Sequence, residues 1–126
     1  MTLITLNFSP EMEDLVMQGR KSMTTRMTRK GEPGDVFLVR DRLYRLLTVM
    51  HTHSLEMLRH CYRDEGFESF QAFKDALLVI YPDADYSPVM IHTFAYVTDI
   101  CPDFNQGRRS CVSSACLASE VCDYGD

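Results

Sequence analysis

The hydrophobic and polar positions at the start of the chain predict a strand followed by a short helix. Leu3–Phe8 (LITLNF) has the apolar, β-branched composition of a strand. Ser9 is a good helix N-cap, and Pro10 suits the first helical position. Apolar residues then recur at helical spacing until Gly19, a residue that commonly ends helices. The segment after Gly19 is therefore expected to leave the helix as a loop or strand.

The middle and the end of the chain carry three further strand patterns. Lys30–Asp35 (KGEPGD) predicts a turn, and Asp35–Val39 predicts a strand after it. Leu43–Ser54 is longer and rich in β-branched and aromatic residues, so it is expected to pair with that strand through a charged hairpin tip at Arg40–Arg42. Pro88–Thr98 is apolar on both faces. A strand covered on both sides suits a small closed barrel with helices around it.

Two more helices are predicted between these strands. Ser54 caps the first, which is expected to run to Gly66. Ser69 caps the second, which Tyr81–Pro82 should stop because proline cannot continue a helix. The apolar face of the second helix consists of Phe70, Phe73, Leu77 and Ile80. The pattern as a whole predicts an α+β domain, a small mixed barrel flanked by about three helices.

Composition restricts the class of protein. The chain has 126 residues, 45% of them hydrophobic and 25% charged, which is typical of one globular domain. It contains no apolar run of about 18 residues or more, so we expect no membrane span. The N-terminus lacks the basic start and apolar segment of a secretory signal. These features predict a cytoplasmic protein.

Charge is distributed unevenly along the chain. The net charge is −5, yet residues 20–45 contain eight Lys or Arg and three acids, which makes that segment +5 and the remainder −10. A basic segment of this kind is typical of a surface that meets phosphate or RNA. A solvated loop with local ion pairs has the same composition, and patterning alone does not separate the two interpretations.

The last residues have a different texture, and we predict a domain at residues 1–99 and a Cys-containing tail at residues 100–126. Four of the five cysteines lie in that tail: Cys101, Cys111, Cys116 and Cys122. Their irregular spacing lacks a C-x2-C pair, which favours a reduced tail over a zinc site. His51 and His53 share a face of their predicted strand, and a metal site there would need a further acid or cysteine ligand. We expect neither a metal nor a cofactor.

One motif carries chemistry: G-x-K-x-x-T-x-R, formed by Gly19, Lys21, Thr24 and Arg26. A turn and Gly34–Asp35 follow it, and an EGF triplet begins at Glu65, ahead of the helix that ends in YP. This order over residues 3–98 resembles the ASCH domain, a small barrel of the PUA-like superfamily. It is most similar to the small bacterial N4-acetylcytidine amidohydrolases built on that fold.

The resemblance implies roles for individual residues. It implies that Lys21 is the catalytic base, Thr24 the nucleophile and Glu65 the proton donor. It further implies substrate contacts from Arg26, Gly19 and Phe67, a nucleoside as substrate, and no cofactor. The ASCH family also includes nucleases and RNA-binding proteins with similar motif residues, so RNA is an alternative partner and a non-catalytic RNA-binding module is the alternative function.

The chemistry of these residues is consistent with amide hydrolysis. A threonine hydroxyl needs a base in order to attack, and Lys21 accepts a proton only when it is neutral. Burial and the neighbouring cations Arg20 and Arg26 are expected to lower its pKa. A glutamate in a partly apolar pocket has a raised pKa and can protonate a leaving amine. Each residue also has an ordinary structural interpretation, as a solvated cation, a strand threonine or a surface acid.

Overall fold

Residues 1–100 fold into a four-stranded antiparallel sheet and two α-helices, with short 3-10 turns between them. The computed structural model describes residues 1–100; of the predicted tail, residues 101–126 lie outside the described residues. The elements in chain order are α1 (Pro10–Met17), β1 (Met23–Arg26), β2 (Val36–Val39), β3 (Arg42–Thr52), α2 (Phe70–Ile80) and β4 (Val89–Asp99). Neither helix is long and apolar enough to cross a membrane within this part of the chain.

The sheet has the order β1-β4-β3-β2 and curls into a half-barrel. The long strands β3 and β4 form its centre, with register shifts between Leu43 and Tyr44 and between Leu46 and Thr48. Such bulges bend a strand and increase its twist. The α+β class and the curved sheet are confirmed. The predicted strand Leu3–Phe8 is wrong, because only Leu3 forms a bridge, to Val36.

Helix α1 begins and ends as its sequence predicts. The Ser9 hydroxyl accepts a hydrogen bond from the Met12 amide. Gly19 has a φ of 78°, and the Arg20 amide bonds back to the Leu15 carbonyl at 2.9 Å. This is the Schellman arrangement, in which glycine adopts the left-handed conformation at low cost. It turns the chain sharply, so that Lys21 leaves the helix end toward the interior.

The second predicted helix, from Ser54 to Gly66, is wrong. Ser54 does cap, but the helix is a single 3-10 turn, Leu55–Leu58, followed by further turns. Leu55 and Leu58 are both buried, and their i, i+3 spacing suits a 3-10 turn. Cys61 and Tyr62, which follow at helical spacing, are only half-buried, and the chain around them forms turns. Residues 1–100 therefore contain two α-helices, one fewer than predicted.

Helix α2 follows its prediction closely. The Ser69 hydroxyl accepts from the Ala72 amide, and the helix ends at Ile80, just before Tyr81 and Pro82. Phe73 and Leu77 are buried against the sheet. Ile80, predicted on the same apolar face, is 67% exposed because it lies in the last turn at the rim of a pocket.

Candidate functional site

A buried pair of opposite charges, Lys21 and Glu65, lies at the centre of the fold. Their relative exposures are 5% and 2%. The Lys21 Nζ donates to the Glu65 Oε1 at 3.2 Å and to the Glu65 main-chain carbonyl at 2.8 Å. Ionisable side chains are almost never buried this deeply unless they are paired. Lys21 is thereby anchored twice to a single residue.

Local backbone structure brings these two residues together across 44 positions of sequence. The amides of Ser22 and Met23 both bond to the Asp64 carbonyl, at 2.8 and 3.1 Å. Gly66 then turns the chain with a φ of 96°, and a Cβ there would lie 2.9 Å from the Leu15 side chain. The close approach and the positive φ both require glycine. The EGF segment is thus packed directly against the end of α1.

Burial perturbs both members of the pair toward their neutral forms. It lowers the pKa of Lys21, an effect that Glu65 opposes and the nearby Arg26 reinforces. It raises the pKa of Glu65, an effect that Lys21 and Thr25 oppose. Both pKa shifts reduce the free-energy difference between the ion pair and the neutral pair. Transfer of one proton from Nζ to Oε1 gives an amine that can act as a base and a carboxylic acid that can act as a proton donor.

Thr24 and Arg26 lie on the same face of β1 and contact each other. The Arg26 Nε donates to the Thr24 Oγ1 at 3.1 Å, while its Nη2 donates to the Asn7 carbonyl at 2.7 Å. The guanidinium also sits 5.1 Å from the centre of the Phe8 ring. These contacts fix its orientation. Burial lowers the pKa of Arg26, but a guanidinium is not deprotonated in proteins.

Thr25 is a site residue that sequence reasoning missed. It is buried, and its Oγ1 donates to the Glu65 Oε2 at 2.6 Å. Among the described residues the hydroxyl bonded to the charged pair is therefore that of Thr25, whereas Thr24 bonds to Arg26. Two adjacent threonines in a strand next to the motif lysine were the available signal.

His92 is a second residue that sequence reasoning missed. It is fully buried on β4, opposite Thr24. The Lys30 amide donates to its Nε2 at 3.0 Å, so the proton resides on Nδ1, which faces the Thr24 carbonyl at 3.4 Å. Burial lowers the pKa of His92 and keeps the ring neutral. The imidazole thus ties the strand that carries Thr24 to the turn that follows it.

A pocket of about 580 Å³ opens onto these groups. Its polar end is formed by Lys21, Thr24, Thr25, Arg26 and Glu65. The remainder is largely apolar and includes Phe67 and the exposed Val79 of α2. A concave apolar site with a few convergent polar groups is typical of small-molecule binding.

Most of the predicted site residues line this pocket, and one does not. Gly19 lies outside it, exposed at the helix end, beside a smaller cavity of about 420 Å³ that Lys21 also borders. Its structural contribution is the turn that directs Lys21 inward.

The basic segment of residues 20–45 is partly neutralised by local ion pairs. Four of its eight cations pair with carboxylates: Lys21, Arg29, Arg40 and Arg42. Arg26 faces the pocket. Arg20, Lys30 and Arg45 form no ion pair with a carboxylate of residues 1–100. The positive charge left free by this segment is therefore smaller than its composition indicates.

His51 and His53 lie side by side at the end of β3. Their rings are 5.2 Å apart and edge-to-face, and both residues are exposed. Within residues 1–100 no group of three or more His, Cys, Asp or Glu side chains is arranged to hold a metal ion.

Comparison with known proteins identifies the fold. No protein-family model and no curated protein matches the chain. Among solved structures, the hypothetical protein PH0355 has a TM-score of 0.61 at 16% identity, and the match covers 77% of this chain and 100% of that one. At 16% sequence identity the similarity concerns the fold alone.

Two further structures carry the family name. An ASCH domain from Lactobacillus crispatus JV V101 has a TM-score of 0.56 at 10% identity, covering 75% of this chain and 78% of that one. ASCH from Zymomonas mobilis has a TM-score of 0.51 at 12% identity, covering 80% and 73%. The chain therefore has an ASCH-like fold, as the order of its motifs predicted.

Proposed function

We propose that the protein is an amidohydrolase that removes the acyl group from a modified pyrimidine nucleoside such as N4-acetylcytidine. The observation that carries this proposal is the buried Lys21–Glu65 pair at the polar end of an open pocket. A lysine and a glutamate that both shift toward neutrality supply a base and an acid in one place. Hydroxyls of the adjacent strand lie in the same pocket.

In the first half-reaction Thr24 is the nucleophile. Its Oγ attacks the acetyl carbonyl carbon, and the hydroxyl proton passes to the neutral Lys21 amine. The tetrahedral intermediate then collapses, the bond between the carbonyl carbon and N4 breaks, and N4 takes the proton of the Glu65 carboxylic acid. Cytidine leaves, and the acetyl group remains as an ester on Thr24.

The second half-reaction restores the resting groups. Water attacks the ester carbonyl and gives one proton to the Glu65 carboxylate. The Thr24 oxygen leaves and takes a proton from the Lys21 ammonium, which releases acetic acid. Lys21 is neutral again and Glu65 is protonated again, so no external acid, base or cofactor is consumed.

Arg26 supports this chemistry electrostatically. Its Nε donates to the Thr24 Oγ1, and a charged donor stabilises an oxygen on which negative charge develops. The fixed contacts of the guanidinium to Asn7 and Phe8 mean that little reorientation is needed as that charge develops.

The alternative function is a non-catalytic RNA-binding module. Three exposed cations that form no ion pair within the described chain favour it: Arg20, Lys30 and Arg45. Phosphate binding of this kind weakens steeply as salt rises, because counterions are released. Hydrolysis of an uncharged nucleoside is expected to be far less sensitive to salt, so a salt series separates the two functions.

The direct experiment is incubation of the purified protein with N4-acetylcytidine and chromatographic separation of cytidine and acetate. Thr24→Ala should reduce turnover by several orders of magnitude with nucleoside binding nearly intact, and Thr24→Ser should retain part of the activity. Thr52→Val is a matched control, since Thr52 is a buried sheet threonine that bonds to the Met57 sulfur, away from the pocket. Full activity in Thr24→Ala would exclude Thr24 as the nucleophile.

A further inference from the structure

Thr25 makes the shortest polar contact with the charged pair. Its Oγ1 lies 2.6 Å from the Glu65 Oε2, within the range of a hydroxyl donating to an ionised carboxylate. Lys21 occupies the other oxygen, Oε1, at the longer distance of 3.2 Å. The carboxylate is 2% exposed, so water contributes little to its solvation. Each oxygen therefore has its own protein donor, and the two donors differ in kind.

The difference between the donors decides where a proton can reside. Lys21 can transfer its proton to Oε1 and become an amine. The Thr25 hydroxyl has a far higher pKa and does not transfer its proton, so Oε2 stays an acceptor as long as Thr25 donates to it. A proton on Oε1 leaves the hydrogen bond from Thr25 to Oε2 intact. A proton on Oε2 either breaks that hydrogen bond or requires the Thr25 hydroxyl to rotate and accept instead of donating.

We infer that Thr25 is a positioning residue that holds Oε2 as an acceptor and so places the exchangeable proton of the Lys21–Glu65 pair on Oε1. The catalytic consequence rests on the proposed function, because it is Glu65 that protonates the leaving amine. The effect on the pair itself does not depend on any substrate.

Other charges near Glu65 act on the whole carboxylate. Lys21 faces it from the loop after α1, Arg26 faces it from β1, and Cys61 lies on the same turn segment as Glu65. Lys21 and Arg26 both favour the ionised carboxylate. Among residues 1–100, Thr25 is the side chain that donates a hydrogen bond to Oε2, so its removal isolates the effect of that oxygen.

Removing the hydroxyl should shift the titration of the pair in one direction. When both groups are deprotonated, Glu65 is a carboxylate, whose charge the Thr25 hydrogen bond stabilises. When both groups are protonated, Glu65 is a neutral acid and has no such charge to stabilise. Loss of a hydrogen bond to a charged group in Thr25→Val should therefore raise the two pKa values of the pair, added together, by about 1–2 units. The sum of the two pKa values is the quantity to compare, because Lys21 and Glu65 titrate together and neither value can be assigned to one residue.

The test is a ¹³C NMR titration of the Glu65 carboxyl and the Lys21 Cε in the wild-type protein, Thr25→Val, Thr25→Ser and the control Thr52→Val. An upward shift in Thr25→Val that is absent from both Thr25→Ser and Thr52→Val supports the inference. Unchanged titration in a folded Thr25→Val would overturn it. This measurement needs no activity, so it stands even if N4-acetylcytidine is not a substrate.

Kinetics distinguish positioning from nucleophilic attack. If Thr25 is a positioning residue, Thr25→Val should lower kcat on N4-acetylcytidine by at most about 100-fold with KM unchanged, because a complete general acid–base contribution is about 100-fold or more. Thr25→Ser should recover most of that loss. A loss in Thr25→Val as large as that in Thr24→Ala, at unchanged titration, would assign Thr25 to the covalent step instead and overturn the inference.

Discussion

The buried pair predicts opposite pH dependences for the two single variants that break it. Lys21→Met leaves Glu65 buried without its partner, and Glu65→Gln leaves Lys21 buried without its partner. Removing one member of a buried ion pair typically costs about 3–5 kcal/mol of unfolding free energy. Solvent screens this pair only weakly, because both side chains are less than 5% exposed. The neutral form of the remaining group reduces this cost, which makes the cost depend on pH.

The stabilities of the two variants are expected to change in opposite directions with pH, because the pKa of Glu65 is raised and that of Lys21 is lowered. In Lys21→Met the pKa of the folded Glu65 lies above its unfolded value of about 4.3. The folded state then binds more protons, so the variant is least destabilised below that unfolded value and loses stability as pH rises through the raised folded pKa. In Glu65→Gln the pKa of the folded Lys21 lies below its unfolded value of about 10.4. The unfolded state then binds more protons, and the variant gains stability as pH rises.

Urea denaturation followed by circular dichroism from pH 4 to pH 9 measures both slopes relative to wild type. The double variant Lys21→Met, Glu65→Leu removes both charges, so its unfolding free energy relative to wild type should change little with pH. Replacement of a buried pair by apolar groups is often neutral for stability. Parallel slopes in the two single variants, or a pH-independent cost in either, would refute the buried-pair account.

Two further predictions concern the scaffold of the site. Gly66→Ala places a Cβ 2.9 Å from the Leu15 side chain at a positive φ, so denaturation should show an unfolding free energy lower by about 1–3 kcal/mol. Gly34→Ala is the control, because Gly34 has a similar φ but a Cβ there meets no atom within 4 Å, so its cost should be smaller. His92→Leu removes the acceptor of the Lys30 amide and should cost about 1–3 kcal/mol, and His92→Gln should recover part of it; equal stabilities of these two variants would speak against that hydrogen bond.

Local signals in the sequence predicted the helix ends well. Ser9 and Ser69 cap, Gly19 terminates, and the YP pair stops α2, because each effect depends on a few neighbouring residues. The prediction failed where tertiary packing overrides spacing. The stripe from Leu55 to Tyr62 suits a helix, but only its first two apolar residues are buried, and the segment folds as turns.

The pairing in the site could not be derived from spacing. Lys21 and Glu65 are 44 residues apart, and their proximity followed from the resemblance to the ASCH domain alone. Thr25 and His92 were missed for a related reason. A threonine in a strand and a histidine in a strand look ordinary until the register places one against Glu65 and the other behind Thr24.

The most direct test of the proposed function is the activity of Lys21→Arg on N4-acetylcytidine, measured beside its binding to a short RNA. An arginine stays protonated and cannot accept the nucleophile's proton, so hydrolysis should be lost as completely as in Lys21→Ala. Binding of RNA, if it depended on charge alone, would survive the same substitution. Wild-type cleavage of N4-acetylcytidine that is abolished in Lys21→Arg is the predicted result. An active Lys21→Arg protein would contradict Lys21 as the base.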